Sequence, residues 1–136
     1  YTAIGVSMGL DSDINHGNPN VYPSDHPLSP INNSLHWNWQ GGYIFTAIEG
    51  KTLADNESFI FHLAGTENRQ DMVLPISFTK TENDSQIMQL AYDVAAIFKD
   101  YNIASEGAST HNTTDPVTLK LFSNMKDALS VLSVTE

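Results

Sequence analysis

The chain contains no cysteine and no long hydrophobic run. Without cysteine it forms no disulfide and offers no thiolate, which excludes zinc-finger sites and cysteine nucleophiles. Any bound metal must therefore be held by histidine, carboxylate, amide or carbonyl groups. No apolar stretch approaches the roughly 20 residues that a membrane-spanning helix needs, so we expect no membrane span.

Positive charge is scarce as well. Sixteen Asp and Glu residues oppose six Lys and Arg residues, which leaves a formal charge of −10 at pH 7. This balance repels phosphate backbones, so we expect no nucleic-acid partner. An acidic surface suits cations, but acidity alone is common among soluble proteins. A length of 136 residues predicts a single domain.

Alternating apolar residues predict several strands. They are expected at Thr2–Leu10, at Leu35–Glu49 with a kink or bulge at Gly41 and Gly42, and at Ser58–Gly65. Between the first two, residues 11–34 are rich in proline and asparagine and predict a long loop, which is usually functional or disordered.

The later part of the chain predicts a strand and two helices. Residues 85–101 fit a strand to about Asp93 and then a short helix through Lys99. Asp115 is expected to cap a helix that begins at Pro116. Its apolar stripe is expected at Leu119, Phe122, Met125, Leu129 and Leu132. The predicted fold is mainly β: an antiparallel β-sandwich-like domain with a C-terminal helix and a long N-terminal loop.

The segment Leu-His-Trp-Asn-Trp-Gln-Gly-Gly-Tyr-Ile-Phe, residues 35–45, holds both tryptophans. In a strand Trp37 and Trp39 share one face, and His36 lies on the other. So much aromatic area beside polar groups indicates either a sheet core with a solvated back or part of a binding site.

Five histidines are present, and their spacings match no compact metal motif: His16, His26, His36, His62 and His111. His62 is predicted on the polar face of its strand, opposite Phe61 and Leu63. If the strands of His36 and His62 are neighbours, the two imidazoles can lie about 5 Å apart on one surface. Such a pair suits copper, zinc or nickel. The alternative is two exposed strand histidines without a ligand.

Residues 11–17 place acidic and amide oxygens at alternate positions, as at the start of a calcium loop. Tyr22 stands where the twelve-residue loop requires a glutamate. A solvated turn is therefore the stronger interpretation, and a structural calcium ion is the alternative.

Three segments together resemble the MbnP-like family, which includes proteins of methanobactin cassettes and copper-repressible surface proteins. They are Asn15-His16 in the long loop, the Leu-His-Trp-Asn-Trp-Gln-Gly-Gly-Tyr-Ile-Phe-Thr-Ala-Ile-Glu-Gly segment at 35–50, and Phe-His-Leu-Ala-Gly at 61–65. Family members normally carry further strands before the position of Tyr1. The resemblance therefore implies that residues 1–136 are the later part of a larger domain. A second chain or segment is expected to complete the sheet.

The resemblance implies export to the periplasm or cell surface and binding of one copper ion. It also implies that a di-haem partner enzyme oxidises a tryptophan to kynurenine, whose amine nitrogen lies beside histidine ligands. Trp37 and Trp39 are both candidates, and Trp37 is favoured because it is closer to the loop end at Ser34. His16, carried by the loop, joins His36 and His62 as a candidate ligand.

The sequence thus predicts a copper-binding protein that is the substrate of a modifying enzyme and is not an enzyme itself. The alternative is a β-rich adhesion or assembly module that uses an aromatic surface for protein or carbohydrate contact.

Overall fold

A computed structural model describes residues 1–38, 40–80 and 85–135. Eight strands are formed in this part of the chain: β1 Ala3–Met8, β2 His36–Asn38, β3 Gly42–Lys51, β4 Ser58–Ala64, β5 Gln70–Pro75, β6 Ile87–Tyr92, β7 Ser109–Thr110 and β8 Leu129–Thr135. Five helices accompany them: α1 Ser12–Asn15, α2 Pro30–Asn33, α3 Val94–Ile97, α4 Ile103–Glu106 and α5 Pro116–Ala128. Single 3-10 turns lie at Pro19–Val21 and Thr66–Asn68. No helix of the described residues is both long and apolar enough to cross a membrane.

The strands form three sheets. The largest has the order β2-β3-β4-β7, and two antiparallel pairs, β1 with β5 and β6 with β8, complete the set. All pairings are antiparallel except that of β4 with β7. The mainly β, sandwich-like fold class is confirmed. The expectation of further strands beside β1 stays a prediction.

The core lies between the four-stranded sheet and the helices α3 and α5. Strand β4 contributes Phe61 and Leu63, which are fully buried because alternation turns them to the same face. The other members come from α3, α5 and the residues after α3: Ile97, Tyr101, Leu121, Phe122, Met125 and Ala128. The opposite face of β4 therefore carries His62, as expected from the sequence.

Helix α5 begins as predicted. The carboxylate of Asp115 accepts a hydrogen bond from the Thr118 backbone N–H at 2.6 Å, and Pro116 occupies the first turn. The predicted stripe is wrong in part, because Leu119 is exposed and the helix ends at Ala128, so that Leu129 and Leu132 belong to β8. The buried helix positions are Thr118, Leu121, Phe122, Met125 and Ala128. The strand followed by a short helix in residues 85–101 is confirmed by β6 and α3.

The predicted kinked strand at Leu35–Glu49 is instead a hairpin of β2 and β3. The Asn38 side chain accepts hydrogen bonds from the backbone N–H groups of Gln40 and Gly41, at 2.9 and 2.7 Å. Such a turn reverses the chain, and Gly42 follows with a φ of 68°, which favours glycine. The glycine pair therefore lies at a chain reversal, and the register of β2 against β3 shifts between His36 and Asn38, as at a β-bulge.

Candidate metal centre

Three aromatic side chains meet on the polar face of the four-stranded sheet: Trp37, His62 and His111. The ring centroids of His62 and His111 are 4.8 Å apart in an edge-to-face arrangement. The ring centroid of Trp37 lies 6.4 Å from the ring centroid of each imidazole. His111 is exposed, whereas Trp37 and His62 are half-buried. We call these three residues the Trp–His cluster.

The register of the parallel pair β4–β7 explains why the two histidines meet. Ile60 lies beside Ser109, and Phe61 lies beside Thr110. His62 follows Phe61 and His111 follows Thr110, so the two neighbouring backbone segments place both imidazoles close together. Phe61 and Thr110 are buried on the core side of the sheet. The residues that follow them, His62 and His111, point to the opposite face because side chains alternate along an extended backbone.

Trp37 is positioned by the hairpin. It lies in β2 between His36 and Asn38, which pair with Tyr43 and Gly42 of β3. A Cβ at Gly41 would lie 3.1 Å from the Cε3 atom of Trp37, so the turn packs directly against the indole. The absence of a side chain at Gly41 thus lets the tryptophan lie against the backbone of its own hairpin.

His62 also carries a carboxylate partner. Its Nε2 atom lies 2.5 Å from Oε1 of Glu49 on the adjacent strand β3. Glu49 is opposite Ile60, and Ala47 is opposite His62, so the pair is a diagonal contact on one face. The imidazole is therefore held on one side by Glu49 and faces His111 and Trp37 as its aromatic neighbours.

The structure does not bring His36 to His62. Strand β3 lies between β2 and β4, so the condition for the His36–His62 pair, that their strands are neighbours, is not met. His36 instead contacts the Tyr43 ring edge-on, with centroids 4.7 Å apart. Its Nε2 atom is buried without a hydrogen-bond partner among the described residues, and burial lowers the pKa of His36. Its role as a ligand stays a prediction.

His16 lies at the end of α1, where its Nε2 atom is 3.1 Å from the Thr66 hydroxyl and 3.4 Å from the Asn15 amide nitrogen. The role of His16 as a ligand stays a prediction. Trp39 lies outside the described residues.

The fully buried Asn15 ties the long loop to the sheet. Its Oδ1 atom accepts a hydrogen bond from the Tyr43 backbone N–H at 2.8 Å, and its amide donates to the Thr66 hydroxyl at 2.9 Å. A Cβ at Gly42 would lie 2.6 Å from the Asn15 amide, so glycine is required there for this close approach. The asparagine thereby holds His16 beside the sheet.

The described residues contain no group of three or more His, Asp or Glu side chains that could hold a metal ion. The two imidazoles of the Trp–His cluster supply two nitrogen donors, and a third donor would have to come from another kind of group. In the segment considered for calcium, the Asp11 carboxylate caps α1 by accepting from the Ile14 N–H at 3.0 Å. That cap gives Asp11 a structural role. A structural calcium ion stays a prediction.

The family model named MbnP matches residues 1–115, which include Asn15, Trp37, His62 and His111. The chain belongs to the MbnP family. A search of curated proteins found no match, and a search of solved structures found none either. MbnP membership indicates a methanobactin-associated, copper-related protein, and members of the family are typically extracellular. The matched range ends at Asp115, the residue that caps α5.

Of the residues predicted for the site, the structure brings together Trp37 and His62 and adds His111. Sequence reasoning missed His111 because it follows a strand of only two residues whose parallel partner is about 50 residues away. No local pattern predicts such a pairing. Its one available signal was its residue type in a chain that offers few nitrogen ligands.

Proposed function

We propose that this MbnP-family protein is an exported copper-binding protein. Copper is held by His62, His111 and an oxidised Trp37, and a di-haem partner enzyme carries out that oxidation. The chain is then a binding protein and a substrate, not an enzyme. The observation that carries the proposal is the contact between the two imidazoles, whose ring centroids are 4.8 Å apart. The centroid of the Trp37 indole lies 6.4 Å from the centroid of each imidazole.

The donor chemistry supports a modified tryptophan. An intact indole N–H is a hydrogen-bond donor only and cannot bind a metal through its nitrogen. Oxidative cleavage of the indole C2–C3 bond, with dioxygen or peroxide as the oxidant at the partner enzyme, leaves C2 on the nitrogen as a formyl group. Hydrolysis then releases this carbon as formate and leaves an aromatic amine with a lone pair. Two imidazoles and one neutral amine form a borderline-soft nitrogen set that suits copper better than magnesium or calcium. The modification would therefore supply the third donor that the described histidines and carboxylates lack.

The position of Trp37 also suits a reaction with a second protein. The indole borders an open depression whose other walls are mainly polar: Asn38, Gln40, Gly41, His111, Asn112 and Thr113. A partner enzyme can thus approach the ring from solvent. The polar walls offer hydrogen bonds to the amine and carbonyl that ring opening creates, which would cost about 1–3 kcal/mol each if buried unpaired.

Competitive Cu(I) titration of protein produced with its partner enzyme tests the proposal. His62→Ala and His111→Ala should each weaken binding by about 100-fold or more, because outer-shell changes alone cost roughly 10–100-fold. His26→Ala is the matched control, since His26 stacks on Tyr22 in the loop with centroids 4.4 Å apart. We expect this variant to bind as the wild type does.

Unchanged affinity in both cluster variants would contradict the proposed site. Metal-free protein with two intact tryptophans would instead favour the alternative function, a β-rich adhesion or assembly module that uses an aromatic surface for protein or carbohydrate contact.

A further inference from the structure

We propose that Glu49 is a positioning residue that holds His62 with its proton on Nε2, so that Nδ1 is the atom that binds metal. This inference rests on the proposed copper site and specifies how one of its ligands is oriented. Nothing in the spacing of the sequence separates Glu49 from the other acidic residues. Its role follows from the pairing of β3 with β4.

The His62 imidazole contacts the Glu49 carboxylate directly. His62 Nε2 and Glu49 Oε1 are 2.5 Å apart, a short distance that is typical of a charge-assisted hydrogen bond. A carboxylate accepts hydrogen bonds, so the imidazole donates and its Nε2 carries a proton. The neutral ring then has its lone pair on Nδ1.

The two ring nitrogens of His62 differ in their surroundings. Within the described residues, no hydrogen bond to Nδ1 of His62 is formed, whereas Nε2 is engaged. The neighbours of the ring are His111 and Trp37, the other members of the cluster. Nε2 of His62 is thus bound to Glu49, and the lone pair of Nδ1 remains available to bind a metal ion.

The solvent exposure of the His62–Glu49 pair indicates what the contact can do. The His62 side chain is only 20% exposed, but that of Glu49 is 58% exposed. A pair that is this open to solvent contributes little to folding. A carboxylate on the outer N–H of a metal-binding imidazole, in contrast, fixes its tautomer and orientation and makes the other nitrogen more basic. The geometry therefore fits a ligand-positioning role better than a stabilising one.

Long-range 15N–1H NMR spectra of the metal-free protein test the tautomer directly. In the wild type His62 should carry its proton on Nε2. Glu49→Ala should reduce the population of that tautomer, and Glu49→Gln should restore part of it because the amide oxygen still accepts. Glu57→Ala removes an exposed carboxylate from the connection between the same two strands and should leave His62 unchanged. An Nδ1 proton in the wild type, or the same spectrum in Glu49→Ala, would overturn the inference.

Cu(I) titration of the same variants tests the consequence. Glu49→Ala should weaken binding by about 10–100-fold, with a smaller loss for Glu49→Gln and none for Glu57→Ala. If the wild type binds Cu(I) and Glu49→Ala binds equally well, the positioning role fails while the copper site stands. If the wild type binds no Cu(I), the proposed function fails and the ligand role of Nδ1 with it. The NMR spectra then still decide whether Glu49 sets the tautomer.

Discussion

Replacing Asn15 with alanine tests how the long loop is fastened to the sheet. The substitution removes the acceptor of the Tyr43 N–H and the donor to the Thr66 hydroxyl, both from a fully buried side chain. An unsatisfied buried N–H costs about 1–3 kcal/mol, and a lost hydrogen bond costs about 0.5–1.5 kcal/mol. Together these predict that Asn15→Ala lowers the free energy of unfolding by about 2–4 kcal/mol.

Thermal and urea unfolding followed by circular dichroism measure this loss. For a chain of this length 1 kcal/mol corresponds to roughly 4 °C, so Tm should fall by about 8–16 °C. Asn20→Ala is the control, because Asn20 is exposed in the same loop and its loss should cost less than about 0.5 kcal/mol. If Asn15→Ala unfolds within about 0.5 kcal/mol of the wild type, the loop is not held by this residue and the reasoning is refuted.

Three further predictions concern the tryptophan, the hairpin and the last helix. Peptide mass spectrometry should find Trp37 oxidised in protein produced with the proposed di-haem partner enzyme and intact in protein produced alone. An intact Trp37 in both samples would contradict the proposed modification. Gly42→Ala should lower Tm in thermal unfolding, because φ is 68° and the new Cβ would lie 2.6 Å from Asn15, and an unchanged Tm would argue against that close approach. Burial acts to raise the pKa of Asp115, but hydrogen bonds from Thr110 and Thr118 outweigh it and leave the pKa below its usual value. Stability from Asp115 is therefore complete above the unfolded pKa of 3.8 and is lost as the pH falls through the lower folded pKa. In urea unfolding measured at several pH values, Asp115→Asn should reduce the loss of unfolding free energy at acid pH. The same pH dependence as in the wild type would contradict the role given to Asp115.

Local patterns were sufficient for much of the fold. Alternation placed β1 and β4 and put His62 opposite the buried Phe61, because the two-residue period of a strand is set by its backbone. The Asp115-Pro116 pair marked the start of α5, since capping depends on the adjacent backbone alone. These features required no knowledge of distant residues.

The remaining features depend on contacts between distant parts of the chain. The glycine pair is compatible with a bulge or a turn, and the Asn38 side chain decides for the turn through its bonds to Gln40 and Gly41. His111 reaches His62 through a parallel pairing that no local periodicity predicts. The sequence therefore predicted Trp37 and His62 as candidate site residues, whereas the contact of His111 with both rings and the separation of His36 from His62 depend on the sheet topology.

Crystals of the copper-loaded protein, measured at the copper absorption edge, test the central claim most directly. Protein produced with the proposed di-haem partner enzyme should be used, so that the proposed oxidation of Trp37 can take place. An anomalous-difference map should show one copper peak, bounded by residue 37, His62 and His111, with Nδ1 as the nearest atom of His62. A single peak at His16, His26 or His36 instead, or no peak at all, would contradict the proposed site.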